Sequence, residues 1–192
     1  MNRLIRNLCK LPGIGEKSAE RLAMYMLQAP AGQLRALAGS IGELQQQVKI
    51  CTHCFALSDD RQCRICRDPA RDASIVCVVE NPADMAAVEK SGAFTGVYHI
   101  LQGLLSPMDG IGANDIRIRE LVHRVADGGI KEVVIATPTN VEGEATAAYI
   151  MDQLKSYRVK ISRIASGVPM GGELQYVDQV TLKKAMEARH EF

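Results

Sequence analysis

The chain has 192 residues, 47% of them hydrophobic and 23% charged, with 16 glycines and 7 prolines. This balance suits one large or two small globular domains and excludes a disordered, collagenous or low-complexity chain. No apolar run approaches the ~18 residues of a membrane span. Met1-Asn2-Arg3-Leu4-Ile5-Arg6 lacks the charged, apolar and small-residue succession of a secretory signal, so a cytoplasmic location without membrane attachment is expected. The net charge of +1 hides an asymmetry. Residues 1–50 carry seven Lys/Arg against three Asp/Glu, residues 51–74 four of each, and residues 75–192 twelve against fifteen. A basic N-terminal quarter and an acidic remainder suggest different partners for the two parts, although solvated helix faces produce the same pattern.

In chain order, Leu4, Ile5 and Leu8 share a helical stripe over residues 1–10, which Pro12-Gly13-Ile14-Gly15 breaks because proline removes a donor and glycine admits positive φ. Ala19, Leu22, Ala23, Met26 and Leu27 follow the spacing of an amphipathic helix that Pro30 stops. A third helix is expected from Ala31 to Val48, with Leu34, Leu37, Ala38, Ile41, Leu44 and Val48 inward. A cysteine module spans residues 51–66. Cys9 and Cys77 stand apart on apolar stretches and are expected to be buried. Ile75-Val76-Cys77-Val78-Val79 has the continuous β-branched character of a strand covered on both faces. Helix Pro82–Ser91, strand Gly96–Leu101, a glycine-rich loop (103–113), helix 115–127, strand Glu132–Ala136, helix 144–156 and strand 159–165 follow. Such alternation predicts a parallel sheet with helices on its faces. The tail has a glycine-rich stretch (167–172), a strand candidate at Leu174–Val177 and a helix from about Asp178. The fold class is a multi-part α/β chain, divided at 1–50, 51–74, 75–165 and 166–192.

Leu11-Pro12-Gly13-Ile14-Gly15 between two helices has the form of a helix-hairpin-helix. Without Cβ atoms at Gly13 and Gly15, backbone N–H groups can approach a phosphate, and the next helix adds its positive dipole end. Lys17 and Arg21, four residues apart, share one face beside this turn. Such a unit grips DNA backbone without reading bases; the same residues would also serve a plain helix corner. Cys51-x2-Cys54-x8-Cys63-x2-Cys66 supplies two halves of a tetrahedral thiolate site, which predicts one structural Zn²⁺ per chain with no open position. Paired redox CxxC sites are the weaker alternative, since redox motifs come singly. His53, inside the first hook, is a possible substitute ligand.

Glu80 ends the first buried strand, and Glu142 and Glu144 follow the strand ending near Ala136. Carboxylates at the carboxyl edge of a parallel sheet face the ligand crevice, where they can hold Mg²⁺ or meet a basic partner; as first-turn residues they can equally do no more than complement a helix dipole. Gly167–Glu173 lacks the Gly-Lys-Ser/Thr ending of a nucleotide-binding loop. His99, His123 and His190 are isolated and expected to be structural or exposed.

The succession of the hairpin, the four cysteines, Val79-Glu80-Asn81-Pro82-Ala83-Asp84, Leu105–Gly112, Val141-Glu142-Gly143-Glu144-Ala145-Thr146 and Gly167–Glu173 resembles the bacterial RecR recombination mediators over essentially the whole chain. One departure is Pro138-Thr139-Asn140 where the family pattern has Asn-Pro-Thr. The resemblance implies a Toprim domain from residue 75 to about 165, a homo-oligomer from dimer to tetrameric ring that encircles or clamps DNA, and cooperation with RecO or RecF in placing RecA on DNA coated by single-strand-binding protein. It also implies that Lys17 and Arg21 face DNA, that the four cysteines hold zinc, and that Glu80, Glu142 and Glu144 form the acidic Toprim edge. A Toprim nuclease or topoisomerase-like enzyme is the competing class. It would need a Glu with an Asp-x-Asp pair for Mg²⁺. The chain contains no Asp-x-Asp, and a non-catalytic mediator is expected.

Overall fold

Gly13, at φ +78°, turns the chain between α1 (Asn2–Leu8) and α2 (Glu16–Gln28), and Pro30 separates α2 from α3 (Ala31–Gln47). The computed structural model describes residues 1–189, with the backbone alone for residues 44–47. These residues form two compact units, one ending at Val48 and one beginning at Lys49. In the first unit Ala19 and Ala23 are buried, and their small side chains let α1 and α2 pack closely. The apolar stripes expected on α2 and α3 are only partly covered. Leu22, Met26, Leu34 and Val48 are half-buried, whereas Ala38 is exposed and Leu27, Leu37 and Ile41 are 69%, 44% and 66% exposed. Helical periodicity identifies an apolar face but not what covers it, and three short helices hold too little mass to cover every stripe. Cys9 is exposed rather than buried. The Leu44 side chain lies outside the described residues.

The second unit begins with an antiparallel ladder of β1 (Lys49–Ile50) and β2 (Leu57–Ser58), followed by the one-turn helix α4 (Arg64–Arg67). The main sheet follows. It comprises β3 (Asp72–Val79), β4 (Gly96–Ile100), β5 (Glu132–Ile135) and β6 (Lys160–Arg163), all parallel in the order β4-β3-β5-β6. Helices α5 (Pro82–Ser91), α6 (Ile118–Ala126) and α7 (Val141–Leu154) connect them, and α8 (Gln179–Glu187) closes the chain. β3 starts three residues before the expected Ile75, and α7 starts three before 144, because Asn140 caps it.

The alternation of side chains along β3 divides the core. Val76 and Val78 join Leu121 and Val125 of α6 and Ile150 and Leu154 of α7 on one face. Cys77 and Val79 join Tyr98, Ile100 and the cysteine module on the other, with Met85 and Val88 of α5 beside them. Cys77 is buried as expected. The chain passes from β3 to β4 on one side and returns to β5 on the other, so the strand order reverses between the carboxyl ends of β3 and β5. Crevices in open α/β sheets form at such points.

The tail differs from expectation at Leu174–Val177. Leu174–Tyr176 is an exposed 3₁₀ turn rather than a strand, since a short apolar run takes extended form only where a strand edge receives it. The terminal helix from Asp178 is present, with Asp178 accepting from the N–H groups of Val180 and Thr181.

A half-buried polar cluster fastens β4 to the start of β3. Tyr98 O–H donates to Glu89 Oε1 at 2.7 Å, and Arg71 donates to both Glu89 oxygens at 2.8 and 2.5 Å and to the carbonyls of Phe94 and Gly96. The Arg71 guanidinium, and Tyr98 with it, holds the Glu89 carboxyl below its ordinary value against the opposing effect of burial. A carboxyl with a depressed folded value stabilises the fold above its unfolded value of about 4.3, and that stability is lost as pH falls through the folded value. Glu89→Gln should therefore lower stability at pH 7 and flatten its decline below about pH 4.3, as read by denaturant unfolding across pH. An unchanged acid limb would show that Glu89 contributes nothing to it.

Candidate functional site

The cysteine ligands sit where local hydrogen bonding bends the chain twice. Cys51 follows β1, and Cys51 N–H donates to Ala56 O while Phe55 N–H donates to Cys51 O. Phe55 completes the turn at φ +64°. Cys63 caps α4, and Cys66 lies within it. The four Sγ atoms all lie within 4.8 Å of one another, and Cys54 Sγ is 3.5 Å from Cys63 Sγ. Four sulfurs at about 2.3 Å from a tetrahedral metal stand about 3.8 Å apart, so the cluster is already near the size of a metal cage. Among the described residues it is the one group of three or more Cys, His, Asp or Glu side chains whose ligand atoms converge. His53 is exposed and its Nδ1 faces Gln62 Nε2 at 3.1 Å, outside that group.

The protonation energetics suit a cation. Burial opposes the Cys51 thiolate, yet N–H groups from Cys54, Cys63 and His53 outweigh it and bring that thiol down to about 6. Cys54 is pushed up by its neighbour Cys66 and by burial, and Cys63 by burial together with nearby thiols. One thiolate is thus well held by backbone amides, whereas four together need a dication at their centre. Cys51, Cys54, Cys63 and Cys66 form a cluster that could hold a metal ion.

The module is fastened to the main sheet. Ile100 N–H donates to Cys54 O at 2.8 Å. The Phe55 ring meets buried His99 edge-on at 5.2 Å, and the Arg117 guanidinium lies 5.2 Å from its centroid. His99 is structural, as expected: Nε2 is 2.7 Å from Arg117 O, and burial lowers its titration to about 4. His123 is exposed, and His190 lies outside the described residues.

In the first unit, Gly13 takes φ +78°, which favours a residue without a Cβ, but Gly15 has no such need. Gly15 precedes α2 at φ −82°, and a Cβ there would meet nothing within 4 Å. Lys17 and Arg21 are exposed on the same helix, without an ion-pair partner among the described residues.

The acidic edge lies at the strand-order reversal. Glu80 follows β3, half-buried, its carboxyl raised by burial and by the neighbouring Asp84. Glu142 and Glu144 occupy the first turn of α7. Gly143 N–H donates to Asn140 Oδ1 at 2.8 Å, so the altered Pro138-Thr139-Asn140 order supplies its own helix cap. Glu144 Oε1 accepts from Lys184 Nζ of α8 at 3.1 Å and lies 3.2 Å from Arg163 Nη2. Hydrogen bonding from Lys184, supported by Arg163, holds its carboxyl low despite the opposing effect of desolvation. Arg163 also donates to Thr137 Oγ1, Thr137 O and Pro138 O. The three glutamates share the edge but do not converge on a common point as the cysteines do. Arg163 and Lys184 were invisible in the sequence, where nothing ties a tail lysine to a residue 40 positions earlier.

Three family models match in order: RecR helix-hairpin-helix over residues 1–44, Toprim domain over 74–165 and RecR C-terminal over 167–190. Curated relatives match along nearly their whole length. The Recombination protein RecR of Desulforapulum autotrophicum is 60% identical over 189 residues, covering 98% of this chain and 95% of that protein. The proteins of the same name from Desulfosudis oleivorans and Syntrophobacter fumaroxidans are 57% and 50% identical, covering 97% and 100% of this chain and 94% and 96% of theirs. The chain belongs to the RecR family. Its Toprim region carries Glu142-Gly143-Glu144 at the edge, and the structure gives the middle residue a reason. A Cβ on Gly143 would lie 2.0 Å from Pro138 O, so the loop before α7 packs directly on the helix backbone. Gly143→Ala should displace that loop and destabilise the protein by about 1–3 kcal/mol, measured by calorimetric unfolding. A parental Tm would show that the crowding is relieved without cost.

Proposed function

We propose that the protein is a non-catalytic recombination mediator that binds DNA through its backbone and, with RecO or RecF, helps place RecA on DNA covered by single-strand-binding protein. The observation that carries this reading is the turn before α2. Gly15 has ordinary φ and open space where a Cβ would go, so internal packing does not account for its lack of a side chain, whereas close approach of a phosphate does. Gly13 shapes the turn, and exposed Lys17 and Arg21 supply the charge. Partly uncovered Leu37 and Ile41 on α3 suit packing against a second copy, as assembly of two to four chains in a ring requires.

The four cysteines fit a structural Zn²⁺, one per chain. The ion supplies cohesion that a segment this short cannot draw from apolar burial, with apparent binding energies of about 10–16 kcal/mol typical of such centres. Glu80, Glu142 and Glu144 serve to meet a basic partner, RecO being the first choice, rather than a catalytic metal. Arg163 and Lys184 both reach Glu144 Oε1, which leaves Oε2 for such a partner, and the chain has no Asp-x-Asp for a catalytic metal. The absence of a long apolar helix among the described residues suits cytoplasmic work on DNA.

The test is a Lys17→Ala, Arg21→Ala double variant, assayed for DNA binding across salt, with RecO present if the chain alone binds weakly. Affinity should fall on every DNA sequence, with the salt slope reduced by about 0.7–0.9 for each phosphate that is no longer neutralised, and RecA loading should fall with it. An unchanged slope and affinity, or nicking of supercoiled DNA by the pure protein with Mg²⁺, would contradict the proposal.

A further inference from the structure

Arg124, on α6, is the half-buried cation beside the cysteine module. Its Nη1 donates to Tyr98 O at 2.7 Å and reaches His53 O, inside the first cysteine hook, at 3.5 Å. Two carbonyls satisfy part of its hydrogen bonding but none of its charge. Helical spacing offers it Glu120, four residues earlier, but that carboxylate is taken by Arg117 Nη1 at 2.6 Å. Asp127, three residues later, lines the same surface cleft as Arg124, His53 and His123 but makes no ion pair with it. Among the described residues, then, no carboxylate lies within ion-pair distance of Arg124.

A guanidinium withdrawn from water without a counter-charge is costly. Burial lowers the Arg124 pKa, and attraction to Cys66, Cys54 and Cys51 acts in the opposite sense. Four thiolates around a dication leave a net charge of roughly −2. The two arginines between Cys51 and Cys66, Arg61 and Arg64, are both exposed to solvent, where their charge is screened.

We infer that Arg124 is the outer-sphere counter-charge of the cysteine metal centre, a positioning residue through which α6 of the Toprim unit sets the affinity for the ion. The inference rests on the reading of the cysteines as a metal site. It gives the metal a second role: the net negative charge of the loaded thiolate centre draws Arg124, which holds Tyr98 O and His53 O at once and so presses the module onto β4. A metal-loaded module is docked more tightly than an empty one, and by reciprocity the docked module binds metal more tightly than a free one.

The experiment measures Zn²⁺ affinity of the full-length chain by chelator competition, with Co²⁺ absorption reporting the ligand set. Arg124→Met should keep the helical circular dichroism and the tetrathiolate cobalt bands, yet bind Zn²⁺ about 10–100-fold more weakly. Arg124→Lys, which keeps the charge, should recover most of that loss. Arg124→Gln, polar but uncharged, should bind Zn²⁺ as weakly as the Met variant and replaces it in the test where the Met variant is insoluble. Parental affinity in the Gln or Met variant, or a Lys variant as weak as Gln, would overturn the inference while leaving the metal site standing. A parent chain that binds neither ion would overturn both.

Discussion

The constraint on which the rest depends is the burial of β3 on both faces. Val76, Cys77, Val78 and Val79 are all at most 2% exposed, and alternate side chains point to opposite sides. Each side must be covered by something different. One side takes α6 and α7, the ordinary solution for a parallel sheet. The other has α5, and the cysteine module with its short helix α4 fills the remainder: Cys51, Cys54, Ala56, Cys63 and Ile65 are buried with Tyr98 and Ile100. The module is therefore part of the core. Its small apolar content is sufficient only while its loops are held in place, which is the physical case for a metal there.

The same sheet explains where the three glutamates collect. Reversal of strand order between β3 and β5 opens the carboxyl edge, and the chain places Glu80 and the start of α7 there. Close packing of Pro138 O on Gly143 and capping by Asn140 fix the direction of the first turn of α7. Arg163 and Lys184 then hold Glu144 Oε1 and join the edge to β6 and α8.

Much of this was legible in the residues. The β-branched run at 75–79, the helix at Pro82–Ser91 and the paired cysteine hooks carry period, breaker and ligand spacing within short windows, and those local signals survive folding. Failures occurred where the outcome rests on partners distant in sequence. Leu174–Val177 has strand-like residues but pairs with neither edge strand of the sheet, and it forms a turn. Leu27 and Ile41 fit a helical stripe, yet the stripe lacks a cover within its own unit. Glu144 reads as an open carboxylate until β6 and α8 bring it two cations. Arg124 resembles any surface arginine of an amphipathic helix until α6 sets it against Tyr98 and His53.

The claim at the centre of this account is that the cysteine module, held by its metal, forms with α5 the cover on one face of β3 and β4. Amide hydrogen exchange of the full chain, zinc-loaded and after chelation under reducing conditions, tests it most directly. The Ile100 N–H, bonded to Cys54 O at 2.8 Å, is the reporter. Loss of metal should speed exchange at Ile100 and throughout residues 51–66, while amides of α7 on the opposite face lose less protection. Equal protection of Ile100 and of residues 51–66 with and without metal would contradict the account.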